Sequence, residues 1–367
     1  MTARCASFPA NTYLKQAEVM LAEREMACVA DLFDRAEALG ADADQCAAGR
    51  WKASMLSGDF EAAWRESDAI RRRGAPDPNR FWRGEDIDEK RVIVRCLHGL
   101  GDAVQFLRYA PMLRERAAKL IVEVPPALRE LAPYIDGLCA GGGQGGTEVI
   151  TWGAQAPAEA PEWDVQIEVV ELPYFFRTQA HHLPITQDYL RLPRTVLEEV
   201  APNVNTTGNL KAGLVWASGG WNPSRSVPVD LLRPVVAIEG CEFWNLQGES
   251  ARGQWSRLAG HGCLHDADQC SDTVLKLAAL IAQMDLVITP DTLAVHLAGA
   301  LGVPAWVMLE SAADWRWMHQ RNDSPWYPSL RLFRQQTPGD WMSVVRQIST
   351  ELGSFAGNRR RISPSHK

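Results

Sequence analysis

From residue 91 onward the chain alternates short apolar runs with amphipathic stretches, and it does so twice. RVIVRC (91–96), KLIVEV (119–124), EVI (148–150) and VQIEVV (165–170) make the first series; AGLVWA (212–217), EFWNLQ (242–247), DLVIT (285–289) and AWVML (305–309) make the second. Helical patterns near 229–237, 272–283 and 291–301 fall between members of the second series. Strands alternating with helices imply parallel sheets with right-handed crossovers. A polar stretch at 193–208 divides the series, so the expected fold class is α/β, with two doubly wound Rossmann-like lobes over residues 90–195 and 208–355.

The chain before residue 75 follows a different period. Phe60, Ala63, Ser67 and Ile70 share one face of a helix opened by Ser57, Gly58 and Asp59. Met26, Val29 and Ala36 repeat Phe60, Ala63 and Ile70 of that face at an offset of 34 residues, the tetratricopeptide period, with Leu39 next on the same face. One and a half repeats cannot close a solenoid core. Residues 1–75 are therefore expected to form a small all-α tetratricopeptide-like segment that caps the next domain or docks a protein partner. A Pro/Gly/Asp-rich linker follows at 74–89, and residues 356–367 read as a disordered tail.

Composition narrows the partners. At 46% hydrophobic and 23% charged, the 367 residues are those of a globular protein with more than one core. A net charge of -7 argues against a nucleic-acid partner, because counterion release needs a cationic face. Asn11, Lys15 and Glu18 interrupt any secretory signal, and no run is long enough to cross a bilayer. The eight cysteines show no CxxC pairing, which suits reduced thiols in the cytoplasm. Arg71, Arg72, Arg73 and the tail GNRRRISPSHK read as solvated charge or, alternatively, as a contact with anionic lipid peripheral to the inner membrane face.

In open parallel sheets ligands sit beyond the carboxyl ends of the strands, so the loops there are where chemistry is expected. The first strand runs into HGLGDAVQFLRYAP (98–111), where Gly99 and Gly101 permit a tight turn and Asp102 opens a helix with Phe106, Ala110 and Leu113 inward. Asp102 is either a helix cap or a general base for an acceptor hydroxyl. In WASGGWNPSRSVP (216–228), Ser218, Gly219 and Gly220 can expose amides and Arg225 can meet phosphate oxygens. The alternative is a surface loop with a solvated arginine. In TPDTLAVHLAGALG (289–302), Thr289, Pro290, Asp291 and Thr292 start a helix with Thr292 and His296 on one face. Its N-terminus suits a pyrophosphate, though capping by Asp291 or Thr292 explains the same letters.

Taken together, EKRVIVRCLHGLGDAVQFLRYAPML, GLVWAS, NPSRSVP, LQGE, DLVITPDTLAVHLAGALGVPAWVML and DWRWMHQRNDSPWYPSLRLFRQ closely resemble the tetratricopeptide-associated branch of the heptosyltransferase-like glycosyltransferases, family 9. The resemblance runs over roughly residues 85 to 350 with the motifs in family order. It implies a GT-B enzyme, its two lobes facing a cleft, that transfers a sugar from a nucleotide-diphosphate donor with inversion, without metal or cofactor. By position Asp102 resembles the catalytic base, with Gly99, Gly101 and Gln105 on the acceptor side. Ser218, Arg225, Asp291, Thr292 and His296 fall at the donor phosphates, and Gln247 falls where the family contacts the nucleoside. Pro290 stands in place of an ordinary residue and removes an amide, and Arg225 stands near where heptosyltransferases use lysine. Those departures leave the donor open, ADP-linked sugars included, and the acceptor open between a glycan, a lipid-linked glycan and a protein. A GT-B epimerase or hydrolase and a non-catalytic repeat-bearing scaffold are the alternatives.

Three clusters are set aside at this stage. HGCLHDADQC (261–270) gathers His261, Cys263, His265, Asp266, Asp268 and Cys270 but matches no closed zinc spacing. Asp42/Asp44, Asp86/Asp88 and Asp266/Asp268 satisfy a bare DxD and read as turns or caps. Trp315, Trp317, Trp326 and Tyr327 read as packing of the second lobe, with Arg316 held by stacking or by Asp314.

Overall fold

The computed structural model describes residues 9–74, 82–138, 146–153, 161–184, 188–200, 204, 208–220, 222–266 and 272–362. It divides into two compact units.

The first unit comprises residues 1–84 together with two later segments, 173–183 and 312–321. Its helices are α1 (Ala10–Glu23), α2 (Val29–Ala38), α3 (Ala43–Ser57) and α4 (Phe60–Arg73), each packed on the next. Asp42 and Asp59 cap α3 and α4 by accepting from the amides of Gln45 and Ala62 at 2.7 and 3.0 Å. Val29, Ala36, Phe60 and Ala63 of the 34-residue pattern are buried, whereas Leu39 is exposed just past the end of α2. Trp64 donates its indole N–H to Thr178 O at 2.8 Å, and Trp315 meets Trp51 edge to face at 5.7 Å. Trp315 and Trp317 were expected in the second lobe but belong to this helical unit. Arg316 pairs with Asp314 at 2.7 Å and lies over Trp315, as the sequence suggests.

The second unit holds both sheets. In its first lobe β1 (Arg91–Arg95), β2 (Lys119–Val124), β3 (Glu148–Thr151) and β4 (Val165–Glu168) form a parallel sheet of order β3-β2-β1-β4. Helices α5 (Leu100–Phe106) and α6 (Ala110–Arg116) follow β1, and two short helices, α7 (Leu172–Phe175) and α8 (Arg194–Val200), follow β4.

The second lobe has six parallel strands: β5 (Leu210–Leu214), β6 (Cys241–Asn245), β7 (Cys263–His265), β8 (Leu286–Pro290), β9 (Ala305–Leu309) and β10 (Leu330–Arg334). Their order is β10-β9-β8-β5-β6-β7. Between them run α9 (Arg233–Val236), α10 (Glu249–Arg252), α11 (Val274–Ile281) and α12 (Leu293–Ala300). The strands β8 and β9 are buried throughout. Pro290 is tolerated in a central strand because it occupies the last rung, paired with Met308 and beyond the pairing to β5.

The last helix, α13 (Trp341–Ile362), corrects the expected tail. Trp341, Val344, Val345, Ile348, Leu352 and Ala356 form a buried stripe at helical spacing, so the helix passes residue 356; residues 363–367 lie outside the described ones. Among the described residues no helix is long and apolar enough to cross a membrane. The DxD aspartates serve locally: Asp44 pairs with Arg73, Asp86 and Asp88 with Arg116, and Asp266 with Arg252. Asp268, Cys270 and Trp221 lie outside the described residues.

Candidate active site

The first strand ends at Arg95, and the chain turns through Leu97, His98 and Gly99 into α5. The Gly99 N–H donates to Asp102 Oδ2 at 2.9 Å, so the partly exposed Asp102 carboxylate does cap its own helix. Gly101 is fixed by a neighbour across the lobes: a Cβ there would lie 2.6 Å from His296 Cδ2. Only glycine lets α5 approach α12 this closely. Gln105 has no solvent exposure, because α5 buries every side chain from Ala103 to Phe106.

Beside this turn stands Glu168, which the sequence reading passed over. It closes β4, is 1% exposed, and accepts from the amides of Val170 at 2.9 Å and Leu97 at 3.4 Å. His98 Nε2 lies 3.7 Å from it. Burial pushes its carboxyl up to about 7, with Glu171 and Asp102 adding to the rise against the two amide hydrogen bonds.

In the second lobe three loop ends converge. Arg225 donates from Nη1 to Asp291 O at 3.1 Å and to Asp291 Oδ2 at 3.2 Å. His296 Nε2 stands 3.9 Å from Asp291 Oδ1, and Nδ1 is 3.1 Å from the Tyr327 hydroxyl. Both Asp291 and His296 are buried, at 7% and 5% exposed. Thr292 is the N-cap of α12 but accepts no capping bond with its side chain; its hydroxyl lies 2.9 Å from that of Thr289. The 216–226 loop is tied at its ends, Ser218 Oγ donating to Asn222 O at 2.7 Å and lying 3.1 Å from Ser226 Oγ. Glu310, just past β9, accepts from Asn222 Nδ2 at 3.0 Å and from Ser224 Oγ at 2.6 Å.

Gln247 ties the loop after β5 to the end of β6. Its Oε1 accepts from the amides of Trp216 at 3.0 Å and Ala217 at 2.8 Å, and its Nε2 donates to Ala217 O at 3.2 Å. The amide is thus committed to shaping the loop after β5 rather than turned outward. Behind His296, Tyr327 joins a buried cluster: Tyr189 lies 3.3 Å from it hydroxyl to hydroxyl, and the wholly buried Arg108 lies over its ring at 4.6 Å. Arg108 also donates to Gln105 O and Trp326 O at 2.7 and 2.8 Å. First-lobe and second-lobe residues therefore share one polar core behind the α5–α12 contact.

No family model matches the chain. Among solved structures it is similar to a glycosyl transferase family 9 protein from Veillonella parvula, at 12% identity and a TM-score of 0.51, over 76% of this chain and 99% of the other. It is similar to the same degree, 12% and 0.51, to the ADP-heptose lipopolysaccharide heptosyltransferase II of E. coli, over 74% of this chain and 99% of that one. The fold is that of the family 9 glycosyltransferases. The curated Protein FlbA of Caulobacter vibrioides is 27% identical over 300 residues, which is 77% of this chain. This chain spans about half (49%) of that relative's length.

Within this fold, Gly101 and Asp102 lie in the segment that follows β1, Arg225 in the one that follows β5, and Asp291 and Thr292 in the one that follows β8, with His296 one turn into α12. Glu168, Glu310, Ser226 and Tyr327 are additions. A glutamate at the end of a candidate strand was a usable signal for Glu168, whereas Glu310 is recognisable only through its partners.

Proposed function

We propose that the chain is a glycosyltransferase that takes a sugar from a nucleotide-diphosphate donor held in the second lobe and passes it to a hydroxyl presented on the first. The observation that carries this reading is the meeting of Arg225, from the loop after β5, with Asp291 and His296, from the turn and helix after β8, across from the Gly101–Asp102 turn. Arg225, aimed by Asp291, and the first amides of α12 supply positive potential for a diphosphate leaving group. Asp102 lies on the opposing helix, where a carboxylate can take the acceptor proton as the sugar is displaced with inversion. No metal is needed if the guanidinium and amides carry the leaving charge. The E. coli neighbour's ADP-heptose makes ADP-linked sugars the first donors to try. The acceptor is a glycan, a lipid-linked glycan or a protein, and the reaction is placed in the cytoplasm.

Calorimetric titration with ADP, GDP, UDP and CDP tests the seat: one diphosphate binds, and Arg225→Ala weakens it at least tenfold. Silence across all four nucleotides refutes the reading and favours a non-catalytic scaffold. Product analysis with donor alone separates transfer from hydrolysis or epimerisation.

A further inference from the structure

At the other end of the second sheet, away from the donor seat, a set of side chains serves none of this chemistry. Strands β6 and β7 pair Glu242 with Cys263 and Trp244 with His265. Alternation along each strand puts these four on one face. His265 Nε2 lies 3.1 Å from Glu242 Oε2 and 3.5 Å from Cys263 Sγ, and the three donor atoms all fall within 4.8 Å of one another. We propose that Glu242, Cys263 and His265 form a zinc-type metal site that fastens the edge strand β7 to β6.

Carboxylate, thiolate and imidazole are the donors that a divalent zinc-type ion takes together. An ion about 2.0–2.3 Å from each of three tetrahedral ligands holds them roughly 3.3–3.8 Å apart; the imidazole already stands 3.1 Å from the carboxylate and 3.5 Å from the thiol, so small side-chain shifts reach that spacing. The set is also braced as metal ligands are. Glu242 is 2% exposed, and Asn209 Nδ2 holds its other oxygen at 3.0 Å. Trp244 stacks on the His265 ring at 4.5 Å with the planes 17° apart, which fixes the direction of the imidazole. Cys263 is exposed, so the fourth position opens to water. The sequence spacing hid the site because one ligand comes from a strand twenty residues upstream.

The site also answers a structural need. β7 has three residues at a sheet edge, and among the described residues its strand pairing is with β6 alone. A metal bridge across the pair supplies the attachment that so short a strand lacks.

The test uses the full chain, reduced and stripped by a chelator, then titrated with Co(II) and back-titrated with Zn(II). One equivalent of cobalt is expected, with a near-ultraviolet thiolate-to-cobalt band that zinc bleaches. Cys263→Ser removes that band, His265→Gln lowers affinity at least tenfold, and Asn209→Ala lowers it roughly tenfold through the bracing of Glu242. Absence of the band in the unaltered chain overturns the proposal. So does its persistence in folded Cys263→Ser, since the thiolate would then lie elsewhere. Neither result bears on nucleotide binding.

Discussion

Glu168 is the titrating group most directly exposed to test. Its native-state carboxyl stands at about 7 against an ordinary 4.5, mainly because it is buried at the end of β4. Between those values the native chain keeps a proton that the unfolded chain has released, so folding stability falls as pH rises. The contribution is whole below pH 4.5 and is lost as pH climbs through 7; moving a carboxyl that far corresponds to roughly 3 kcal/mol. Glu168→Gln cannot titrate. It keeps an oxygen for the Val170 amide and gives up the weaker bond from Leu97, at a pH-independent cost of about 1 kcal/mol. Urea unfolding of both proteins from pH 4.5 to 8.5 should therefore show the variant gaining on the parent by about 3 kcal/mol across the series, overtaking it at about pH 5. Parallel stability curves would refute the argument, because they would mean that Glu168 ionises alike in folded and unfolded chains.

Asp102→Asn should leave diphosphate affinity within a factor of about two and depress turnover by roughly two to four orders of magnitude, read by calorimetry and steady-state kinetics. Gly101→Ala drives a methyl into a buried imidazole and should lower stability by about 1–3 kcal/mol in urea, with nucleotide affinity falling because His296 is displaced. Gln247→Ala strands the Trp216 and Ala217 amides, for a loss of about 1–3 kcal/mol in the same assay and weaker nucleotide binding. Tyr327→Phe removes the hydroxyl 3.1 Å from His296 Nδ1 and so loosens the imidazole; calorimetry should show nucleotide binding weakened by about threefold to tenfold with little change in fold.

The strands were legible wherever burial on both faces demanded an apolar run, as in VIVR, LIVEV and AWVML. β7 was not, because its letters are Cys, Leu and His and its outward face carries donor atoms instead of hydrocarbon. The turn carrying Asp102 was readable because Gly99, Gly101 and Asp102 lie close in sequence. The burial of Gln105 was not legible, because the sequence shows that a helix follows, not how completely its neighbours enclose it. The tie of Gln247 to the loop after β5, and the reach of Glu310 to Asn222 and Ser224, join residues far apart in the chain. No local pattern announces such pairs. The long last helix was cut short in the reading because its charged end outweighed Leu352 and Ala356.

The helical unit is assembled from three lengths of chain, the last ending at Arg321. During synthesis its four helices leave the ribosome long before Trp315 and Trp317 are made, and they wait with an unfinished interior until those later segments follow. Removing the first 84 residues would not shed a detachable appendage. It would strip Tyr174 and Trp317 of their surroundings and leave sticky aromatic surface on what remained.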